Sequence, residues 1–130
     1  MDKAYFIENY RIAFGNYELP VGFWYSDQPV SISEKTKGCF IKDLKPAREG
    51  NFISFSLDTI SCAGGKVYTG FTELPAYIPE FVSTKERYKE TPEMVTKFVH
   101  DLRIPSKTGK YLNFISIDKV EDIESLEDLY

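Results

Sequence analysis

Apolar residues recur along this chain with two periods, and the predicted elements change where the period changes. Over 2–14, Phe6, Ile7, Tyr10 and Phe14 fall at helical spacing and Gly15 stands where helices commonly stop, which predicts an opening helix. The run Leu19-Pro20-Val21-Gly22-Phe23-Trp24-Tyr25 is rich in strand formers, and its Pro20 suits the start or edge of a strand. Asp27-Gln28-Pro29 then reads as a turn. From Thr36, the residues Cys39, Phe40, Leu44 and Ala47 return to helical spacing, interrupted at Pro46 and stopped at Gly50. Phe52-Ile53-Ser54-Phe55-Ser56-Leu57 alternates as a strand, which places Cys62 just beyond a strand's C-terminal end, where sites gather in mixed α and β folds.

Val67-Tyr68-Thr69-Gly70-Phe71 fits a helical turn and a short strand equally, and Pro75 and Pro79 bracket a short connection. Thr91-Pro92-Glu93 starts a helix, with a capping residue followed by proline in the first turn, and Met94, Val95, Phe98, Val99 and Leu102 form its expected buried face. Leu112-Asn113-Phe114-Ile115-Ser116-Ile117 is a further strand, and Val120, Ile123, Leu126 and Tyr130 predict an amphipathic helix among acidic residues. No repeat, low-complexity tract or linker divides the sequence. The expected architecture is a single α+β domain over 1–130, with a mixed β-sheet built from the segments near 20, 53 and 114 and helices packed on it.

Composition narrows the function classes. With 42% hydrophobic and 15% aromatic residues in 130, the chain can bury a core without cross-links. Its net charge of -4, from 16 basic and 20 acidic residues, argues against nucleic acid as a partner. The start, Met1-Asp2-Lys3-Ala4-Tyr5-Phe6-Ile7-Glu8, lacks the basic and apolar regions of a secretory signal, and no apolar run reaches the length of a membrane span. Those features read as a soluble, cytoplasmic protein, in which Cys39 and Cys62 are free thiols or metal ligands rather than a disulfide.

The segment Cys62-Ala63-Gly64-Gly65-Lys66 carries the most specific chemistry, because glycine lets a thiol and free backbone N–H groups meet at one place. At a helix N-terminus Cys62 would gain thiolate character and bind a soft metal or react. The competing reading makes Cys62 a small buried apolar residue beside a glycine turn. Cys39, on the apolar side of its predicted helix, is expected in the core. As metal ligands, Cys39 and Cys62 need help: a closed zinc site takes four ligands, and His100 is the one histidine of the chain.

Catalytic groups are not assigned. His100 lies about 200° around its helix from Phe98, at roughly 100° per residue, so it is expected to point into solvent rather than at a thiol. Ile60 and Val67 occupy positions where a Walker loop needs glycine and a hydroxyl, which leaves Gly64, Gly65 and Lys66 only a simple anion nest. Arg48, Lys85, Arg87 and Lys89 alternate with Asp43, Glu49, Glu86 and Glu90 and read as solvated charges. Glu121-Asp122-Ile123-Glu124 offers oxygen ligands for a hard cation, against the stronger reading of a surface helix.

In order along the chain, Leu19-Pro20-Val21-Gly22-Phe23, Cys39 with Ala47-Arg48-Glu49-Gly50, Cys62-Ala-Gly-Gly with Gly70-Phe71, and Tyr88-Lys89-Glu90-Thr91-Pro92 resemble the family catalogued as domain of unknown function 169. The resemblance covers residue 19 to about 117 and implies a shared fold and a site around Cys39 and Cys62, with no reaction attached. It also implies a longer domain, of which 1–130 is the N-terminal part. Three functions follow as expectations: a small-molecule or metal-binding module with a pocket at Cys62, Gly64, Gly65 and Lys66; a thiol redox or electron-transfer protein using Cys39 and Cys62; and a noncatalytic domain that forms a homodimer through exposed aromatics.

Overall fold

The computed structural model describes residues 2–31, 39–104, 107–121 and 128–129. Asp2 caps the first helix, α1 (Lys3–Phe14), by accepting a hydrogen bond from Ala4 N at 2.9 Å, and Gly15 ends it at φ +72°. Strand β1 (Val21–Ser26) follows, then a 3₁₀ turn at Phe40–Leu44 running into α2 (Lys45–Arg48), with Pro46 in its first turn. Strand β2 (Ile53–Ser56) leads to α3 (Ala63–Tyr68) and α4 (Tyr77–Glu80), which continues as a π turn at Phe81–Lys85. Helix α5 (Pro92–Asp101), strand β3 (Tyr111–Ser116), a 3₁₀ turn at Ile117–Lys119 and strand β4 (Asp128–Leu129) complete the order.

The strands form one sheet in the order β2-β3-β1-β4. The α+β class is as expected, but every described pairing is antiparallel where a mixed sheet was predicted. Val21 faces Ser116 and Tyr25 faces Leu112 across β1 and β3, while Ile53 faces Phe114 and Phe55 faces Leu112 across β2 and β3. This register puts Phe55, Leu112 and Phe114 on the core side, beneath Phe40, Leu44 and Ala47 from the 3₁₀ turn and α2. Phe40, Phe55 and Phe114 form a three-ring cluster with centroids 5.8–6.4 Å apart, the spacing at which edge-to-face and tilted rings attract.

Several expectations need correction. The predicted terminal helix through Val120, Ile123, Leu126 and Tyr130 gives way at its end to β4, which pairs with Gly22 and Phe23 and covers part of the β1 edge; Ile123, Leu126 and Tyr130 lie outside the described residues. Thr36, the expected helix start before Cys39, also lies outside them. The connection expected between Pro75 and Pro79 holds α4 instead, because a proline in a helix's first turn removes only an N–H that has no intrahelical acceptor. Of the expected buried face of α5, only Val95 is buried, and Met94 and Leu102 are exposed. The ambiguous stretch from Val67 resolves as the end of α3, closed by Gly70 at φ +75°.

Candidate functional site

Helix α3 is short, and its start depends on a sulfur. Cys62 sits in extended backbone (φ -78°, ψ 126°) as the N-cap, and its Sγ accepts a hydrogen bond from Gly65 N at 3.2 Å. The Cys62 carbonyl accepts from Lys66 N at 3.0 Å, so the thiol and the main chain close the turn together. The amides of Ala63 and Gly64 belong to the first helical turn, where no intrahelical acceptor exists. Gly64 keeps the space over the sulfur open: a Cβ there would come within 3.8 Å of Cys62 Sγ.

Gly65 serves a different purpose. A Cβ on it would lie 3.0 Å from Phe40 Cδ1 and 3.0 Å from Ile60 Cγ2, tight enough that these core neighbours would have to give way. Glycine therefore lets α3 rest directly on the Phe40 ring. Cys62 and Lys66 are half-buried and Gly65 is buried, so the segment has one sealed side and one open side.

Cys39 is exposed, which corrects the expectation that it lies in the core. It precedes the 3₁₀ turn as its N-cap instead of sitting within a helix, and Phe40, Leu44 and Ala47 take the buried positions. Both cysteines are free. Each flanks the Phe40–Gly65 contact, Cys39 as the chain neighbour of Phe40 and Cys62 through its hydrogen bond to Gly65. Among the described residues no group of three or more His, Cys, Asp or Glu side chains gathers to hold a metal ion.

His100 stands on α5 with its side chain 88% exposed, pointing into solvent as its helical phase predicts. Among the cations singled out from sequence, Arg48 pairs with Glu18 at 3.6 Å and Lys89 Nζ lies 5.0 Å from the ring centroids of both Tyr88 and Phe98. Of the acidic stretch from Glu121, only Glu121 itself lies among the described residues. Leu74 and Arg103, which carry no sequence signal of a site, line with Phe71 an open groove at the far end of α3. The left-handed backbone of Arg103, at φ +50°, leaves no composition signal. No described helix is long and apolar enough to cross a membrane.

A family model described as uncharacterised ArCR, domain of unknown function 169, matches residues 13–125, a span that includes both cysteines, the glycine pair and α5. Comparison with curated proteins and with solved structures gave no match.

Proposed function

Because the chain belongs to the domain of unknown function 169 family, which carries no assigned reaction, we propose a function from the geometry alone: a binding module for a small molecule or metal ion held at Cys62, Gly64, Gly65 and Lys66. The observation that supports this reading is the free, half-buried Cys62 sulfur at the start of α3, with a glycine beside it that leaves the approach uncovered. A ligand there would meet the thiol, the first-turn amides and the Lys66 ammonium. For a soft metal, Cys39 and Cys62 would be the protein ligands, and the ligand or solvent would supply the remainder. Two free thiols suit a reducing compartment, and we place the protein in the cytoplasm.

Native mass spectrometry with metal analysis, followed by ligand-shift screening, tests the proposal on the wild type and Cys62→Ser. Serine keeps a capping atom, so the variant should fold. A retained or screened species that binds the wild type and not the variant supports the site. Identical behaviour of the two proteins removes Cys62 from it. The same spectrum reports whether a second copy is bound.

A second reading follows from the position of both thiols beside one contact. Cys39 and Cys62 would lose two protons and two electrons to form a disulfide, with oxidised glutathione as the acceptor that is reduced to two thiols. It requires Cα atoms no more than about 7 Å apart. Incubation with oxidised glutathione, followed by peptide mass analysis, should then yield a Cys39–Cys62 cross-linked peptide; mixed disulfides alone would exclude the pair.

A further inference from the structure

At the opposite end of α3 from Cys62, the chain turns through Gly70 and runs past the last turn of α5. Between them lies an open groove of about 680 Å³, lined by Val67, Phe71, Leu74, Val99, His100 and Arg103 among others. That volume is in the range that small-molecule sites occupy. Val67 and Phe71 are buried and Leu74, Val99 and Ile104 half-buried, so the floor is apolar and anchored in the core.

The rim is cationic. Arg103 is exposed on it, and Lys107 Nζ stands 5.7 Å from the centroid of the Phe71 ring. Arg103 makes no ion pair among the described residues. The acids nearby leave an excess of positive charge: Asp101 is engaged by Lys97 and lies beside His100, and Glu73 is the carboxylate that lines the groove itself. Arg103 follows the C-cap of α5 at φ +50°, the left-handed geometry in which helices commonly end, and its N–H donates to His100 O at 3.2 Å. An exposed cation without an ion pair among the described residues, at the edge of an apolar floor, suits an anionic group with an apolar body.

We propose that this groove binds a small amphipathic carboxylic acid, with its apolar body on Phe71, Leu74, Val99 and Ile104 and its carboxylate on Arg103 and Lys107. The groove is distinct from the thiol site, and the proposal does not rest on that site being occupied.

The probes are 2-naphthoate, its uncharged amide 2-naphthamide, and inorganic phosphate, titrated into the ¹⁵N-labelled protein and followed by NMR. Naphthoate should shift the amides of Phe71–Leu74 and Val99–Ile104, and bind about tenfold more tightly than the amide, as a charge-assisted hydrogen bond warrants. Phosphate, lacking an apolar body, should bind more weakly than naphthoate. Arg103→Gly suits the left-handed backbone while deleting the cation, so it should fold at least as well and lose about tenfold in naphthoate affinity, with Arg103→Lys retaining part of it. Cys62→Ser should bind naphthoate as the wild type does. Equal binding of acid and amide, undiminished binding by Arg103→Gly, phosphate matching naphthoate, or shifts confined to Cys62–Lys66 and lost in Cys62→Ser would each overturn the proposal. A failed metal and ligand screen at Cys62 with naphthoate still bound would leave the groove standing and remove only the thiol site.

Discussion

Phe40 and Gly65 touch so closely that a Cβ on Gly65 would lie 3.0 Å from the Phe40 Cδ1 carbon, tighter than most such contacts. Ile60 closes the same space from the other side, also at 3.0 Å, and both neighbours are core residues with little room to shift. Gly65→Ala should therefore destabilise the fold by about 1–3 kcal/mol, the usual cost of overpacking a core. Gly64, one residue earlier, would place its Cβ no nearer than 3.8 Å to any neighbour. Gly64→Ala should gain about 0.5–1 kcal/mol from helix propensity. Denaturant midpoints of the two variants should move in opposite directions, and a shared direction would contradict the assigned packing.

On the other face of the sheet, Asn113 is fully buried and its amide is satisfied on both sides. Its Oδ1 accepts from Ser54 Oγ at 2.7 Å, and its Nδ2 donates to Ser26 Oγ at 2.8 Å and to the Trp24 carbonyl at 3.3 Å. Ser54 Oγ in turn accepts from Val30 N and Ser31 N, both at 3.0 Å, which ties the segment after β1 to β2. Asn113→Ala strands the Ser54 hydroxyl and opens a space in the sheet, so a loss of about 1–3 kcal/mol is expected on thermal or chemical unfolding. Amide exchange at Val30 and Ser31 should rise with it.

What the sequence made legible was local. Thr91 caps α5 by accepting from Met94 N at 3.3 Å, and Gly15 ends α1, because caps are written in one or two adjacent residues. The three longer strands follow from local runs of strand-forming residues, with alternation only over 52–57. Helical phase at 3.6 residues per turn puts Cys39 on the apolar side, but the segment winds as a 3₁₀ turn that begins at Phe40, which leaves Cys39 outside as its N-cap. The exposure of Met94 and Leu102 reflects how little of α5 its neighbours cover, and β4 depends on the register of a strand a hundred residues away; neither is encoded locally. The Cys62 turn was visible as a motif, whereas its capping sulfur and the Arg103 groove required the third dimension.

Asp101 gives the surface a titration with a definite sign. The hydrogen bond from Lys97 is the main influence holding its carboxyl below the ordinary carboxylate value, with the charges of Lys97 and His100 adding to it. A depressed carboxylate contributes stability above its unfolded value and loses it as the pH falls through the folded one. The change is thus confined to acid, below the usual carboxylate midpoint, with no effect near neutrality. The pair is solvent-exposed, so salt should weaken it. Carbon-detected NMR titration of Asp101 should give a lowered midpoint that rises in Lys97→Met; an unchanged midpoint would remove Lys97 as the cause.

The two thiols should differ in access, and the order of their modification reports which is free to act. Cys39 is exposed and uses no side-chain hydrogen bond to cap its turn, whereas Cys62 is half-buried with its sulfur engaged by Gly65 N. A limiting amount of iodoacetamide should label Cys39 before Cys62, read from peptide masses of the native protein. Labelling of Cys62 removes the capping geometry and should cost about 0.5–2 kcal/mol, as loss of other N-cap side chains does, while labelling of Cys39 should leave the unfolding midpoint in place. If Cys62 reacts first, the start of α3 opens more readily than its hydrogen bond implies, and the thiol is then the more accessible partner for any ligand of this turn.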